Sequence, residues 1–173
     1  SLNSIPVIDG CSEKYHPAQA LGDMLTMMEY ARGLENIKKV AWLGIQNNVS
    51  NSLRLLCAKL GIEMAIISPE VDPESIDEEL NHQADASGKV IYTTDFEKGL
   101  AHADFVHTDT WMNMEFFDGG HVLPKFREEY ERRKKVFMPY QLNAALMERY
   151  APHAKIMHCM PCHIGYEITR DAI

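Results

Sequence analysis

Three short polar clusters in this sequence have the residue types to handle a small polar ligand. Gln46-Asn47-Asn48 offers amide donors and acceptors, Thr108-Asp109-Thr110 a carboxylate between two hydroxyls, and His158-Cys159 an imidazole beside a thiol. A further pair, His16 and Gln19, has the i, i+3 spacing that puts both on one face of a helical turn. Asp109 can hold an ammonium group through a charge-assisted hydrogen bond, and it serves equally as a turn former or helix cap. The amides of Asn47 and Asn48 suit a ligand, or the turn and cap of a following helix. His16 and Gln19 can together meet a carbonyl or amide group, or simply open a helix with polar residues.

Cys159-Met160-Pro161-Cys162-His163 has the C-x-x-C-H spacing of a haem attachment, and its C-x-x-C core that of redox and zinc sites. Haem attachment needs export and an axial partner, and consecutive residues rarely wrap one zinc ion. Neither a metal nor an organic cofactor is therefore expected. Gly44 stands alone where a dinucleotide-binding loop would carry several glycines, so a pyrophosphate could not approach the backbone in the usual way.

The elements that must position these groups follow from the hydropathy pattern. Lys39 to Gly44, Glu63 to Ile67, Lys89 to Thr93, Ala103 to Thr108 and Lys155 to His158 read as strands. Between them the pattern predicts helices over 49–60 and 73–86, a short helix before Ala103, and a helix over 139–150. Pro17 opens an amphipathic helix that runs to about Tyr30, as proline suits a first helical turn. The charged segment from Gly119 to Lys135 reads as a solvated helix. Strands alternating with helices predict an α/β, Rossmann-like fold, a parallel sheet of about five strands with helices on both faces. Ligands bind such sheets beyond the carboxyl ends of the strands, and the three clusters fall there.

A chain of 173 residues makes one ordinary domain. Its formal charge of -8 argues against nucleic acid and anionic membranes as partners, because both need a basic face. The longest apolar runs are strand-length, far short of the ~20 residues that cross a bilayer. Four unevenly spaced cysteines and ten methionines suit a reduced intracellular protein better than a disulfide scaffold. No targeting leader is read at Ser1.

Taken together the motifs resemble one family. His16-Pro17-Ala18-Gln19-Ala20-Leu21 resembles the His-Pro-x-Gln helix start of the aspartate/ornithine carbamoyltransferases. His158-Cys159-Met160-Pro161 is similar to the His-Cys-Leu-Pro segment of the ornithine branch, and Gly165-Tyr166-Glu167-Ile168-Thr169 continues in register. Gly44 through Asn48 and Thr108-Asp109-Thr110-Trp111 look like that branch's Asn-Asn loop and Thr-Asp-Thr-Trp strand end.

The resemblance implies transfer of a carbamoyl group from carbamoyl phosphate to the side-chain amine of L-ornithine, giving citrulline and phosphate. It assigns His16 and Gln19 to the carbamoyl group, Asn48 to the amino acid's carboxylate and Asp109 to its α-ammonium. It places Cys159 beside the attacking nitrogen, and adds Asn113, Met114 and Met160 to the substrate contacts. It also implies that residues 1–173 are the amino-acid-binding domain of a homotrimeric enzyme of arginine metabolism. The carbamoyl-phosphate domain, with its Ser-x-Arg-Thr-Arg loop, and a final arginine-bearing segment would lie outside it.

One departure bears on the acceptor. Asn113-Met114-Glu115 stands where the family carries a Ser-Met-Gly loop, which leaves room for another amine such as putrescine. A non-catalytic amino-acid-binding paralogue is the reading from a different class. Cys162 and His163 are assigned no role.

Overall fold

The computed structural model describes residues 5–173, so the reading of Ser1 for a leader lies outside the described residues. Helix α1 (Pro17–Ala31) leads into β1 (Lys39–Leu43), α2 (Asn48–Leu60), β2 (Glu63–Ile67), α3 (Glu78–Ala86) and β3 (Val90–Thr93). Then come α4 (Phe96–Leu100), β4 (Phe105–Thr108), a hairpin of β5 (Phe117–Asp118) and β6 (His121–Val122), α5 (Arg127–Phe137), α6 (Ala144–Tyr150) and β7 (Lys155–His158).

The main sheet has the order β3-β2-β1-β4-β7 with every pairing parallel. Its central strand β1 is buried along its whole length, as an unbroken Lys-Val-Ala-Trp-Leu run covered on both faces should be. On one face Val40, Trp42, Met64, Ile66 and Phe105 pack against Met24 and Met27 of α1 and Val49, Leu53 and Cys57 of α2. On the other, Ala41, Leu43, Ile67 and Val106 meet Leu100 of α4 and Met147 of α6. Full burial of a Leu- or Met-sized side chain contributes roughly 1.5–3 kcal/mol, so each helix is held by a few such residues at helical spacing. The expected α/β sheet with helices on both faces is the one observed. Among the described residues, no helix is long and apolar enough to cross a membrane.

Three expected elements differ by more than two residues in their bounds. The stretch expected as one helix over 73–86 is a 3₁₀ turn at Pro73–Ser75, capped by Asp72, followed by α3, capped separately by Asp77. Two competing caps five residues apart start two helices rather than one. Likewise Asn143 caps α6, so the helix expected from Pro139 begins at Ala144 after a short 3₁₀ turn.

The expectation of a solvated helix from Gly119 to Lys135 is corrected most. Gly119 and Gly120, both at positive φ (53° and 82°), make a two-residue turn between β5 and β6, the geometry that tight hairpins demand. Helix α5 starts only at Arg127, and it buries Tyr130, Arg133 and Phe137. Tyr130 and Phe137 join Ile45, Trp111, Met112 and Phe116 in a third apolar cluster.

Candidate active site

From β1 the chain steps outward to β2 and β3, then returns to place β4 on the other side of β1. The reversal opens a crevice beyond the carboxyl ends of β1 and β4, where ligands bind in folds of this kind. Asn47 and Asn48 follow β1, Asp109 and Thr110 follow β4, and Cys159 and Met160 follow β7. All six line one cavity of about 280 Å³, together with His16, Asn113, Met114 and His163.

Asp109 is the hub. Its Oδ2 accepts from Asn47 Nδ2 at 2.6 Å, and its Oδ1 from its neighbour's Thr110 N at 2.7 Å and the Cys159 thiol at 2.7 Å. Asn47 is fixed from the other end, because its Oδ1 caps α2 by accepting from Val49 N and Ser50 N at 3.1 Å each. Burial pushes the Cys159 thiol well above its ordinary pKa, and the neighbouring Asp109 charge and hydrogen bond push it further, with a smaller contribution from Asp23. The site thus holds a protonated thiol against a carboxylate. Asn48 lines the cavity while its Nδ2 donates to Ser12 O at 2.7 Å, tying α2 to the segment before α1.

His16 caps α1: its Nδ1 accepts from Gln19 N at 3.4 Å. An accepting Nδ1 leaves the hydrogen of the neutral ring on Nε2, so His16 can donate to a ligand oxygen. Gln19 does share that turn, but its Nε2 donates to Asp23 Oδ1 at 2.9 Å. The other oxygen of Asp23 faces His107 Nε2 at 2.9 Å, deep in the core.

The segment from Trp111 to Phe116, the lid, contributes Met112, Asn113 and Met114 to the lining of the cavity. Met114, 73% exposed, and Met160, 62% exposed, stand at its rim. Arg133 of α5, only 5% exposed, anchors the lid from behind. Its NH1 donates to Trp111 O and Asn113 Oδ1 at 3.0 Å each and meets Asp72 Oδ2 at 3.4 Å, while its Nε donates to Glu129 Oε1 at 2.9 Å. Asn113 Oδ1 therefore faces Arg133. Arg132 and Arg133 hold the Glu129 carboxyl down at about 2.

The two halves of the Cys-x-x-Cys segment diverge. Cys159 faces the cavity, whereas Cys162 packs into the apolar cluster on the far face of the sheet. His163, without a role in the sequence, has Nδ1 at 3.0 Å from Thr110 Oγ1 and its ring stacked on Phe117 of the hairpin at 5.3 Å. Glu167, 1% exposed, accepts from the backbone N–H of His163 and pairs with His158 Nε2 at 3.3 Å. It holds the turn after β7 in shape.

Sequence reasoning overlooked Asn47 as the partner of Asp109, and gave Asp23, His107, Arg133 and Glu167 no role in the site. Gln19 and Asp23 are four residues apart on a helix, a spacing that signals their contact. The pairings of Asn47 with Asp109, Asp23 with His107, Arg133 with Asn113 and His158 with Glu167 span 9 to 84 positions of sequence, and no local pattern marks them.

Residues 36–173 match the family model described as "Aspartate/ornithine carbamoyltransferase, Asp/Orn binding domain". The chain is 39% identical over 173 residues to the ornithine carbamoyltransferase of Pyrobaculum aerophilum, covering 99% of this chain and 53% of that protein. It is 37% identical over 172 residues to that of Bacillus subtilis, covering 98% and 50%. Among solved structures it superposes on the ornithine carbamoyltransferase of Pyrococcus furiosus with a TM-score of 0.78 at 34% identity, covering 97% of this chain and 51% of that one. The anabolic enzyme of Campylobacter jejuni gives a TM-score of 0.79 at 32% identity, covering 98% and 54%. The chain spans about half the length of the relatives it matches.

Proposed function

We propose, from the premise that this chain belongs to the aspartate/ornithine carbamoyltransferase family, that it forms the acceptor half of an enzyme that carbamoylates the side-chain amine of L-ornithine. Carbamoyl phosphate is the donor, and citrulline and phosphate are the products. One observation carries the reading. A carboxylate and a protonated thiol, Asp109 and Cys159, converge with His16 in a cavity that also carries Glu13, Asp72 and Glu74 and that no lysine or arginine side chain lines among the described residues. Such a cavity attracts a cationic amine and repels a phosphate dianion, so the groups that hold the donor phosphate must come from outside this chain.

In this reading Asp109 holds the α-ammonium of ornithine by a charge-assisted hydrogen bond. Holding the acceptor at one end directs its far amine at the carbamoyl carbon, which is catalysis by orientation. The amine nitrogen bonds to that carbon, and the carbonyl π electrons move to oxygen. His16, donating from Nε2, stabilises the developing oxyanion, with Gln19 at the carbamoyl nitrogen. Collapse of the intermediate breaks the bond from carbon to the phosphate oxygen, and the departing phosphate takes the extra proton of the nitrogen. Cys159 stands beside the attacking nitrogen, while Asn48, Asn113, Met114 and Met160 form the remaining acceptor contacts. The motif resemblance extends the proposal to a homotrimer of the full-length protein, in arginine metabolism, in the cytoplasm or mitochondrial matrix.

A diamine acceptor such as putrescine is favoured by a different observation. Among the described residues no lysine or arginine lines the cavity to meet an α-carboxylate, and the Asn48 amide is engaged by Ser12 O. The full-length gene product, given carbamoyl phosphate and offered ornithine, putrescine and aspartate separately, decides between them. Citrulline in clear excess supports ornithine, carbamoyl-putrescine in excess moves the assignment to the diamine, and no product from any amine leaves only a binding role.

A further inference from the structure

We infer that His107 is a positioning residue for the carbamoyl-binding end of the site, acting on Gln19 through Asp23. The inference rests on the carbamoyl-transfer reading and adds to it a residue that contacts neither substrate.

His107 is fully buried in β4, between β1 and β7, and carries no apolar role that a leucine would not fill. Both of its ring nitrogens face oxygen acceptors: Nδ1 lies 3.0 Å from Thr108 O and Nε2 lies 2.9 Å from Asp23 Oδ2. A carbonyl oxygen only accepts, so Nδ1 carries a hydrogen, and a proton lies between Nε2 and the carboxylate. Trp42 stacks on the imidazole with centroids 5.0 Å apart and planes 15° apart, which fixes the plane of the ring. The indole is itself held, because its Nε1 donates to Ile45 O at 2.8 Å.

Asp23, on α1, is thereby locked by its Oδ2, and its Oδ1 is left at 2.9 Å from Gln19 Nε2. A carboxylate oxygen accepts only, so the amide of Gln19 must turn its NH₂ inward. Gln19 is not among the residues that line the cavity of this chain; in the carbamoyl-transfer reading its carbonyl oxygen is then the end that meets the carbamoyl N–H, and the flip is set by two buried side chains. Without His107, Asp23 would be a buried carboxylate short of a donor. It would turn towards another donor, and Gln19 would lose the contact that selects one amide orientation. Misplacing a group that orients the reacting carbon by about 1 Å costs up to ~10²-fold in rate. Asp23 also adds a smaller contribution, after burial and Asp109, to the raised pKa of the Cys159 thiol.

The test is a double-mutant cycle in the full-length enzyme, reading kcat and both KM values. His107→Leu removes the donor, and His107→Gln keeps an N–H placed close to where Nε2 lies. The expected result for H107L is a loss of about tenfold or more in kcat/KM for carbamoyl phosphate, with the KM for the amine acceptor little changed. H107Q should recover most of that loss. Because His107 acts through Gln19, adding H107L to Gln19→Ala should cost little beyond Q19A alone. The inference is overturned if H107L costs the same factor with and without Gln19, or if H107Q recovers nothing while melting as the wild type does. If H107L fails to fold, the cycle is run on Asp23→Asn and Q19A, with the same two outcomes. A wild-type enzyme that carbamoylates no amine would overturn the function reading itself and this inference with it.

Discussion

The thiol of Cys159 donates to the carboxylate of Asp109 at 2.7 Å, across the ends of two neighbouring strands, β4 and β7. Thiols near a carboxylate lose nucleophilicity because the thiolate is disfavoured by both burial and charge. Cys159 should therefore be alkylated by iodoacetamide at pH 8 far more slowly than Cys11, which is exposed. Replacing Asp109 by Asn removes the charge while keeping the shape. Since each unit of thiol pKa is about tenfold in thiolate, the Cys159 alkylation rate in D109N should rise by about tenfold or more. Peptide mapping at timed intervals reads both rates, and an unchanged rate in D109N would mean that burial alone holds the proton.

Asn47 has two tasks, which two substitutions separate. Its Oδ1 caps α2 and its Nδ2 donates to Asp109. Asn47→Ala should cost about 1 kcal/mol of stability from the lost cap, and also raise the KM for the amine acceptor. Asn47→Ser restores a capping oxygen but cannot reach Asp109. It should melt close to the wild type while keeping the raised KM. Thermal unfolding alongside steady-state kinetics checks this, and a normal KM in N47S would show that Asp109 needs no support from Asn47.

The sheet was legible because its signals are local. The buried Lys39–Leu43 run, the Asn47 cap, the Val49-Leu53-Cys57 spacing and the terminal Gly61 each announce their element within a few residues. The site was legible in outline for a related reason, since parallel strands gather their carboxyl-terminal loops at one edge, and three polar clusters sat there. What local pattern could not convey was which partner each polar group chooses. Asn47 and Asn48 are adjacent in sequence, yet one turns to Asp109 and the other to Ser12. Arg133 lies in a run of charges, Glu131-Arg132-Arg133-Lys134-Lys135, that reads as solvated. Only the tertiary packing of α5 under the lid picks it out to hold Trp111 and Asn113. The hairpin at Phe117–Val122 was missed because two residues per strand are too few for alternation to show.

The anchor of the lid should be sensitive to acid. Glu129 has its carboxyl lowered from 4.5 to about 2 by Arg132, and by Arg133 after it. A group with a depressed folded-state pKa stabilises the fold fully above its unfolded value, and that contribution disappears as pH falls through the folded value. Urea unfolding of wild type and Glu129→Gln should differ most above pH 4.5, and the gap should narrow steadily towards pH 2. Because Glu129 is partly exposed the gap is small, as for most surface ion pairs. A gap independent of pH would mean that Glu129 acts by packing rather than by charge.

Gly44, between β1 and the Asn47 cap, is where the site tolerates no side chain. Its φ of 122° lies in a region that L-residues rarely adopt, and a Cβ there would stand 3.1 Å from Trp111 Nε1 and 3.6 Å from Thr108 Oγ1. Among the described residues the buried indole N–H of Trp111 has no hydrogen-bond partner, and the ring stacks on Phe137 at 5.8 Å. Pushing that ring shifts the backbone that Arg133 grips through Trp111 O, and with it Asn113 and the lid. Gly44→Ala should therefore cost about 1–3 kcal/mol from backbone strain, and should raise the KM for the amine acceptor more than that for carbamoyl phosphate. Chemical denaturation and the two KM values measure these together. If stability fell while both KM values held, the strain would be absorbed in β1 and would not reach the lid.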